Sequence, residues 1–398
     1  MLLMFALSIP VAVSIGLASI VGILAHTELP LLLVAQQLFT RIDSYPLAAI
    51  PFFILAGNLM EIGGISRRLV EFAKSIIGGI QGGLACTCVL TCMLFAAVSG
   101  SSVATTFAIG AILIPALIKH GYPRNFAAAL QASSAELGVI IPPSIPMILY
   151  GVSAEVSIGE MFVAGIGPGI LIGGALLLFV FVWCRIKGWG KNDHEGRLSF
   201  LRASKESAFA LFMPVLIIGG IYGGVFTPTE ASVVAVFYAL IVGMLVYREL
   251  KVDDLPRILK KSVISSAVIM FIIANAGLFS WLINRAGIPQ DVGMWLTGTF
   301  DGAATFLLAV NLFLFVLGMF VETSAAIIVL APILAPVAMH FGVDPIHFGL
   351  VMVVNLALGM ITPPFGVNLF AACQVANLPF DRIVRPLIPF VLVVISCL

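Results

Sequence analysis

Long apolar runs follow one another along the whole chain, separated by short polar stretches. They fall at roughly 2–24, 29–40, 46–62, 84–98, 125–141, 145–152, 161–184, 207–225, 230–247, 262–284, 303–321, 345–361, 365–376 and 386–398. Continuous runs of this kind predict membrane helices; barrel strands would show segments of about ten residues with alternating polarity. At about 20 residues per span, the chain has room for roughly ten to twelve crossings. Two shorter apolar pieces, 102–118 and 324–340, begin beside Ser, Gly or Thr and are interrupted by proline. They are too long for loops, and we read them as parts of re-entrant hairpins. Such backbone survives at membrane depth only when buried in protein or lining a wet cavity.

One pattern occurs twice. Leu137-Gly138-Val139-Ile140-Ile141-Pro142-Pro143 returns 221 residues later as Leu358-Gly359-Met360-Ile361-Thr362-Pro363-Pro364. At the same offset Ile112-Leu113, Pro115 and Gly121 match Ile333-Leu334, Pro336 and Gly342. A double proline after a glycine breaks a helix, so each half holds one broken helix. Paired breaks in two halves predict a transporter built from repeats, with its site between them. The expected organisation is a first repeat over 1–184, a connecting loop over 185–206 and a second repeat over 207–398. Each repeat would carry scaffold helices, a hairpin (near 99–120 and 318–342) and a broken helix (138–144 and 359–366).

Composition agrees with the pattern. Of 398 residues, 61% are hydrophobic and 10% charged, against roughly 25% charged in a soluble domain. A net charge of +1 gives no basis for nucleic-acid binding. Basic residues cluster at Arg185–Lys205 and at Arg248–Lys261, two spans apart, which makes that side cytoplasmic; Arg67, Arg68 and Lys74 are expected there too. Residues 252–261 read as a solvated helix start, and Thr227 or Thr229 as a cap before Glu230. Cys86, Cys88 and Cys92 read as packing residues. No nucleophile, metal or phosphate motif appears, which argues against an enzyme.

Small polar residues gather near the breaks. Ser99-Gly100-Ser101-Ser102 and Thr105-Thr106 precede one apolar piece; Gly318 and Glu322-Thr323-Ser324 precede the other. Broken helices leave carbonyls without partners, and carbonyls with hydroxyls form a cage for a hard cation such as sodium. Gly138, Ile141 and Pro143 would offer carbonyls at one break; Gly359, Thr362 and Pro364 at the other. Close packing of small residues is the plainer alternative. Glu136 and Glu322 either balance a cation or carry a proton, or they cap helix ends or sit at the interface. Asn58, Asn355 and Asn368 need partners, from another helix or from solute. Ser144 and Asn368, with Ser101 and Ser102, are the expected solute contacts. His120, His340 and His347 read as interfacial.

These motifs resemble a known family. Ser99-Gly-Ser-Ser-Val-Ala-Thr105, Gly138-Val-Ile-Ile-Pro-Pro-Ser144, Gly223-Gly-Val-Phe-Thr-Pro-Thr-Glu-Ala231 and Gly359-Met-Ile-Thr-Pro-Pro-Phe-Gly-Val-Asn-Leu369 are similar to the large membrane subunit of TRAP transporters. The resemblance implies an all-α inverted-repeat protein of the bacterial inner membrane, with a scaffold and an elevator-type transport domain. It implies sodium-driven import of a carboxylated solute, such as a C4-dicarboxylate or sialic acid, with most likeness to the sialic-acid branch. It implies two partners, a small four-helix membrane subunit and a periplasmic substrate-binding protein. Carried over residue by residue, it places one sodium at Ser99, Ser101, Gly138, Ile141 and Pro143. The other falls at Gly318, Thr323, Gly359, Thr362 and Pro364, where the hairpin departs from the family pattern. Nothing like the small subunit precedes Met1, so a separate-chain version is expected. The alternative reading is an ion-coupled organic-anion transporter of the same architecture that works without a binding protein.

Overall fold

The computed structural model describes residues 4, 9–26, 30–191 and 198–398, and the regular structure among them is helical. The first helices are α1 (Val11–His26), α2 (Leu32–Ile42), α3 (Ala49–Ile62) and α4 (Ile65–Ile77). Helix α4 buries Ile65, Leu69, Val70 and Ala73 on one face, and Arg67 and Arg68 lie on the other. That spacing is the stripe of an amphipathic helix lying at a surface. Helices α5 (Gly83–Ser99) and α6 (Ser102–Lys119) are followed by α7 (Arg124–Ala135), the single turn α8 (Leu137–Ile140) and α9 (Ile145–Ser153). Helix α10 (Ile158–Lys187) closes the first half. The second half holds α11 (Phe200–Tyr222), α12 (Pro228–Ile241), α13 (Leu255–Arg285) and α14 (Ile288–Thr299). It ends with α15 (Ala303–Gly318), α16 (Thr323–His340), α17 (Pro345–Met360), α18 (Val367–Ala376) and α19 (Phe380–Ile395).

The halves repeat one succession: two arms, a broken helix and a closing helix. Helices α6 and α16 begin at 102 and 323 and end at 119 and 340, so the offset of the double-proline motif holds for whole elements. The broken helix of the first half bends by 41° between α7–α8 and α9.

Ring and backbone contacts show that the arm pairs are hairpins. Gly82, before α5, donates its N–H to Gly190 O at 3.4 Å. Tyr122, after α6, packs edge-on against Trp189 at 6.5 Å. Both ends of the first hairpin therefore sit at the end of the molecule where α10 finishes. In the second half Phe306, near the start of α15, stacks on Phe341, just past α16, at 4.6 Å. That hairpin also leaves where it entered, and its open end lies beside Ser153 and Glu155, which precede α10. The two hairpins thus enter from opposite ends of α10, as inverted repeats require.

Length and apolarity make seven helices able to cross a bilayer among the described residues, or nine if each bent pair is one span. This is fewer than the expected ten to twelve. Helices α6 and α16 are long and apolar enough to be among the seven although each is a hairpin arm, whereas the apolar helices α5 (17 residues, largely buried) and α17 (16 residues) are too short to be counted. Residues 84–98 and 303–321, read above as ordinary apolar segments, are the first arms of the hairpins.

The remaining helices frame these units. Helix α13 packs on α1, α2 and α3; α12 packs on α3, and α11 on α4. Glu249 accepts from Arg67 Nη2 at 2.7 Å and Arg68 Nη1 at 2.8 Å, which puts α4 at the basic end, as expected. Lys261 pairs with Glu61 at 2.9 Å at the same end. Thr227 caps α12 in a capping box with Glu230, again as expected. Residues 252–254 form a 3₁₀ turn leading into α13.

Candidate functional site

Each hairpin tip docks on the broken helix of its own half. In the first, α5 ends at Ser99 and the chain reverses at Gly100, whose φ of +65° is the left-handed conformation that glycine adopts without strain. Ser101 then caps α6, its Oγ accepting from Ala104 N at 3.4 Å. Gly100 O accepts from Ile145 N at 3.2 Å, across the double-proline break. The contact is close on both sides. A Cβ on Gly100 would lie 2.9 Å from Pro143 O, and one on Gly138 would lie 2.9 Å from Ser101 O.

The carbonyl of Ser101 is the focus of this tip. It accepts from Thr105 Oγ1 at 2.8 Å and from Ser99 Oγ at 3.2 Å. Ser99, Ser101, Gly138 and Pro143, all read from the sequence as sodium ligands, are brought together here. The donor set is entirely oxygen, the chemistry a hard monovalent cation takes. Ile141 contributes only main chain, because its side chain packs on Gly169 of α10. Thr105 stands closer to the focus than expected, although it lies in the quoted Ser-to-Thr motif.

The second tip has the same plan with different parts. Met319 O accepts from Gly366 N at 3.3 Å, the counterpart of Gly100 and Ile145. Gly318 and Gly359 meet backbone to backbone: a Cβ on Gly318 would lie 3.1 Å from Gly359 Cα. Between α15 and α16 lie four residues, Met319 to Glu322, where the first tip has two. Glu322 holds the position of Ser101 and caps α16, its Oε2 accepting from Ala325 N at 3.1 Å and its Oε1 from Ser324 Oγ at 2.8 Å. Of the two roles left open for Glu322, the structure shows the cap. Thr323 Oγ1 points at Met360 Sδ, 2.9 Å away. Gly359 O accepts from Thr362 N at 2.9 Å, and Thr362 Oγ1 donates to Leu358 O at 2.8 Å. Pro364 is exposed. Gly318, Thr323 and Gly359 therefore converge, whereas Thr362 and Pro364 stand further along the break; at both tips the candidate carbonyls already accept hydrogen bonds.

At this site the two halves share a buried polar contact through Asn368, on α18. Its Nδ2 donates to Glu136 Oε1 at 2.8 Å and to Ala132 O at 3.1 Å, and its Oδ1 accepts from Thr106 Oγ1 at 2.6 Å. Glu136 sits at the kink between α7 and α8 and is 4% exposed. Its Oε2 has no hydrogen-bond partner among the described residues. One amide of the second repeat thus joins the hairpin and the broken helix of the first.

The expected solute contacts divide. Ser101 is partly open at the first tip, and Ser102 is buried at the start of α6. Ser144 is fully buried and engaged as the cap of α9, donating to Val139 O at 2.6 Å and accepting from Met147 N at 3.4 Å. Its position after the double proline reflects helix initiation and gives no face to solute in this conformation. Asn368 is also fully buried, with its amide occupied. Phe365, which stands where Ser144 stands in the first repeat, is 54% exposed beside Phe320.

Other polar groups serve packing. Asn58 donates to Ser262 Oγ at 2.8 Å, and Asn355 to Asn311 Oδ1 at 2.6 Å. Gln131, which the sequence reading passed over, accepts from Cys88 Sγ at 3.1 Å and donates to Thr105 O at 3.3 Å. A lone amide two helical turns before Gly138 was the available signal.

The comparisons with known proteins agree with this architecture. The family model of the tripartite ATP-independent periplasmic transporter, DctM component, matches residues 1–398. A C4-dicarboxylate TRAP transporter large permease protein of Pseudomonas aeruginosa is 42% identical over 96% of this chain and 90% of its own length. The isethionate TRAP transporter permease protein DctMQ of Oleidesulfovibrio alaskensis is also 42% identical, over 100% of this chain; the chain spans 62% of that protein. The sialic acid permease of Vibrio cholerae is 36% identical over 97% of this chain and 90% of its own length, so the sialic-acid branch is not singled out. The crystal structure of the YdaH transporter of Alcanivorax borkumensis superposes with a TM-score of 0.69 at 14% identity, covering 97% of this chain and 94% of that one, which shows the shared fold. Two hairpins docked on two broken helices, in a chain matched end to end by one family, make this protein a member of the DctM component family of TRAP transporters, a multi-pass inner-membrane permease.

Proposed function

We propose that this permease couples inward movement of an anionic organic solute to sodium, receiving the solute from a periplasmic binding protein and working with a small membrane subunit. The observation that carries the reading is the close crossing at each hairpin tip. Carbonyls at a chain reversal lie against a helix-breaking glycine in both repeats, at Ser101 with Gly138 and at Gly318 with Gly359. Such crossings supply fixed oxygen ligands without a formal charge, which suits a monovalent ion that must also leave. The solute class rests on the relatives, whose names give C4-dicarboxylate, isethionate and sialic acid. The partner set rests on the family and on the relative whose name joins M and Q.

The hairpins and broken helices pack on one another, and α1, α2, α3, α11 and α12 lie to one side. That division supports an elevator, in which the hairpin unit slides against a static frame. Sodium favours loading of solute, and solute favours loading of sodium by the same factor. The test is uptake into proteoliposomes holding this chain and its small subunit, with loaded binding protein outside. Uptake is expected to need an inward sodium gradient and the binding protein. Uptake at full rate with potassium alone would refute the coupling, and full rate without the binding protein would show a stand-alone carrier.

A further inference from the structure

At the end of the molecule opposite the basic loops lies a cavity of about 460 Å³, between α2 and α13 on one wall and the end of α9 with α16 on the other. Its single basic lining residue is Arg41, in the last turn of α2. The stem of Arg41 lies in a slot made by Gly277 of α13, where a Cβ would come within 2.6 Å of its Cβ and Cγ. Arg41 makes no ion pair among the described residues. Ser280 and Asn284, one and two turns further along α13, line the same wall.

The facing wall differs in charge and in chemistry. Glu155, its single acidic residue, is likewise unpaired among the described residues. Pro332 and Pro336 lie within α16 and have no N–H, so the carbonyls of Ile328 and Pro332 lose their helical donors on this wall. One wall thus offers a positive fork, the other acceptors and a negative charge.

We infer that this cleft is the periplasmic loading site for the solute, with Arg41 taking its carboxylate or sulfonate group. This inference rests on the transporter reading above. A guanidinium presents paired donors that match a planar or tetrahedral oxyanion. Glu155 repels the acid group toward Arg41 and leaves the solute's hydroxyls to face the free carbonyls. A cavity of this volume lies within the ordinary range of small-ligand sites. Because α2 belongs to the frame and α16 to the hairpin unit, the solute is first caught on the static wall.

Thiol labelling tests this without sodium or a binding protein, so its outcome is separate from that of the uptake assay. Ser44, which also lines the cleft, is changed to Cys in the reconstituted full chain, with the unsubstituted chain as control. It is labelled from the periplasmic side with anionic and cationic methanethiosulfonates of similar size. The anionic reagent should react about tenfold faster relative to its solution rate, as expected for a focused positive charge. Arg41→Gln should remove that preference and Arg41→Lys should keep it. Gly277→Ala should act like Arg41→Gln, because its methyl displaces the arginine stem. Succinate, isethionate or sialic acid should slow labelling when Arg41 is present and leave it unchanged in Arg41→Gln. No labelling of the Ser44→Cys chain, no charge preference, a preference that survives Arg41→Gln, or no protection by any of the three anions would overturn the assignment.

Discussion

Asn368→Ala perturbs a buried polar contact between the two repeats. The substitution removes three hydrogen bonds at once, to Glu136, Ala132 and Thr106. Side-chain hydrogen bonds between membrane helices contribute about 0.6 kcal/mol each on average, with a ceiling near 1.7. Three of them give about 2 kcal/mol. Glu136 and Thr106 are both at most 4% exposed, so water does not replace the lost amide. Thr106→Val removes one of the three bonds and should cost about 0.6 kcal/mol. The double variant should cost less than the two together, by about the value of the shared Thr106–Asn368 bond.

Reversible unfolding of the purified permease in mixed micelles measures these differences. Glu136→Gln is the companion variant, because glutamine keeps an acceptor for Asn368 Nδ2 and should hold most of the stability. If Asn368→Ala lies within about 0.5 kcal/mol of the parent, or adds fully with Thr106→Val, the network does not tie the repeats together. If Glu136→Gln is as damaging as Asn368→Ala, the charge of Glu136 matters more than its acceptance of this bond.

The remaining expectations concern the tips and the basic end. Gly359→Ala should destabilise by about 1–3 kcal/mol, since its methyl meets the backbone of Gly318, which cannot turn aside; thermal denaturation with and without sodium measures both this loss and the ion response. Sodium at about 100 times its dissociation constant should stabilise the parent by about 2.7 kcal/mol, and a permease whose melting is identical in sodium and in choline would contradict the tip assignment. Glu322→Ala should cost about 1 kcal/mol through the lost cap of α16, while Glu322→Ser should recover most of it, a comparison of melting temperatures that separates capping from charge. Arg67→Ala should change stability by less than about 0.5 kcal/mol, because that side chain is 64% exposed and Arg68 still holds Glu249.

Much of this architecture was legible in the sequence because backbone chemistry leaves marks that survive without an alignment. A double proline after Leu-Gly breaks a helix wherever it stands, and its recurrence 221 residues on located both broken helices. The serine cluster located the first tip for a similar reason: short hydroxyl side chains cap helices. Hairpin arms were harder to read. Residues 84–98 look like a span because burial in protein and burial in lipid select the same apolar residues. Asn368 was found by its polarity, but a single amide in an apolar run does not declare whether its partner is another helix or a solute. Glu136 lies 232 positions away from it, and only the fold brings the two together. Ser144 has the opposite character: its visible role, the cap of α9, is local and follows from its place after the double proline.

The departure of the second tip from the first has a physical consequence. Four linking residues replace two, and a carboxylate replaces a hydroxyl as the cap of the inward arm. A hydroxyl cap leaves the first tip with neutral oxygens only, gathered on the Ser101 carbonyl. At the second tip Glu322 engages one oxygen with the α16 N-terminus and the other with Ser324, so its charge faces the helix dipole. The longer link also moves the carbonyl that meets the broken helix from Gly100, next to the cap, to Met319, three residues before it. The capping group and the carbonyl that meets the broken helix are therefore one cluster in the first repeat and two separate clusters in the second. An ion bound at the first tip would restrain the cap and the reversal together, whereas an ion at the second would restrain the reversal alone. If both tips hold the proposed ions, they need not share affinity or order of loading, and the longer link of the second tip is the feature that separates them.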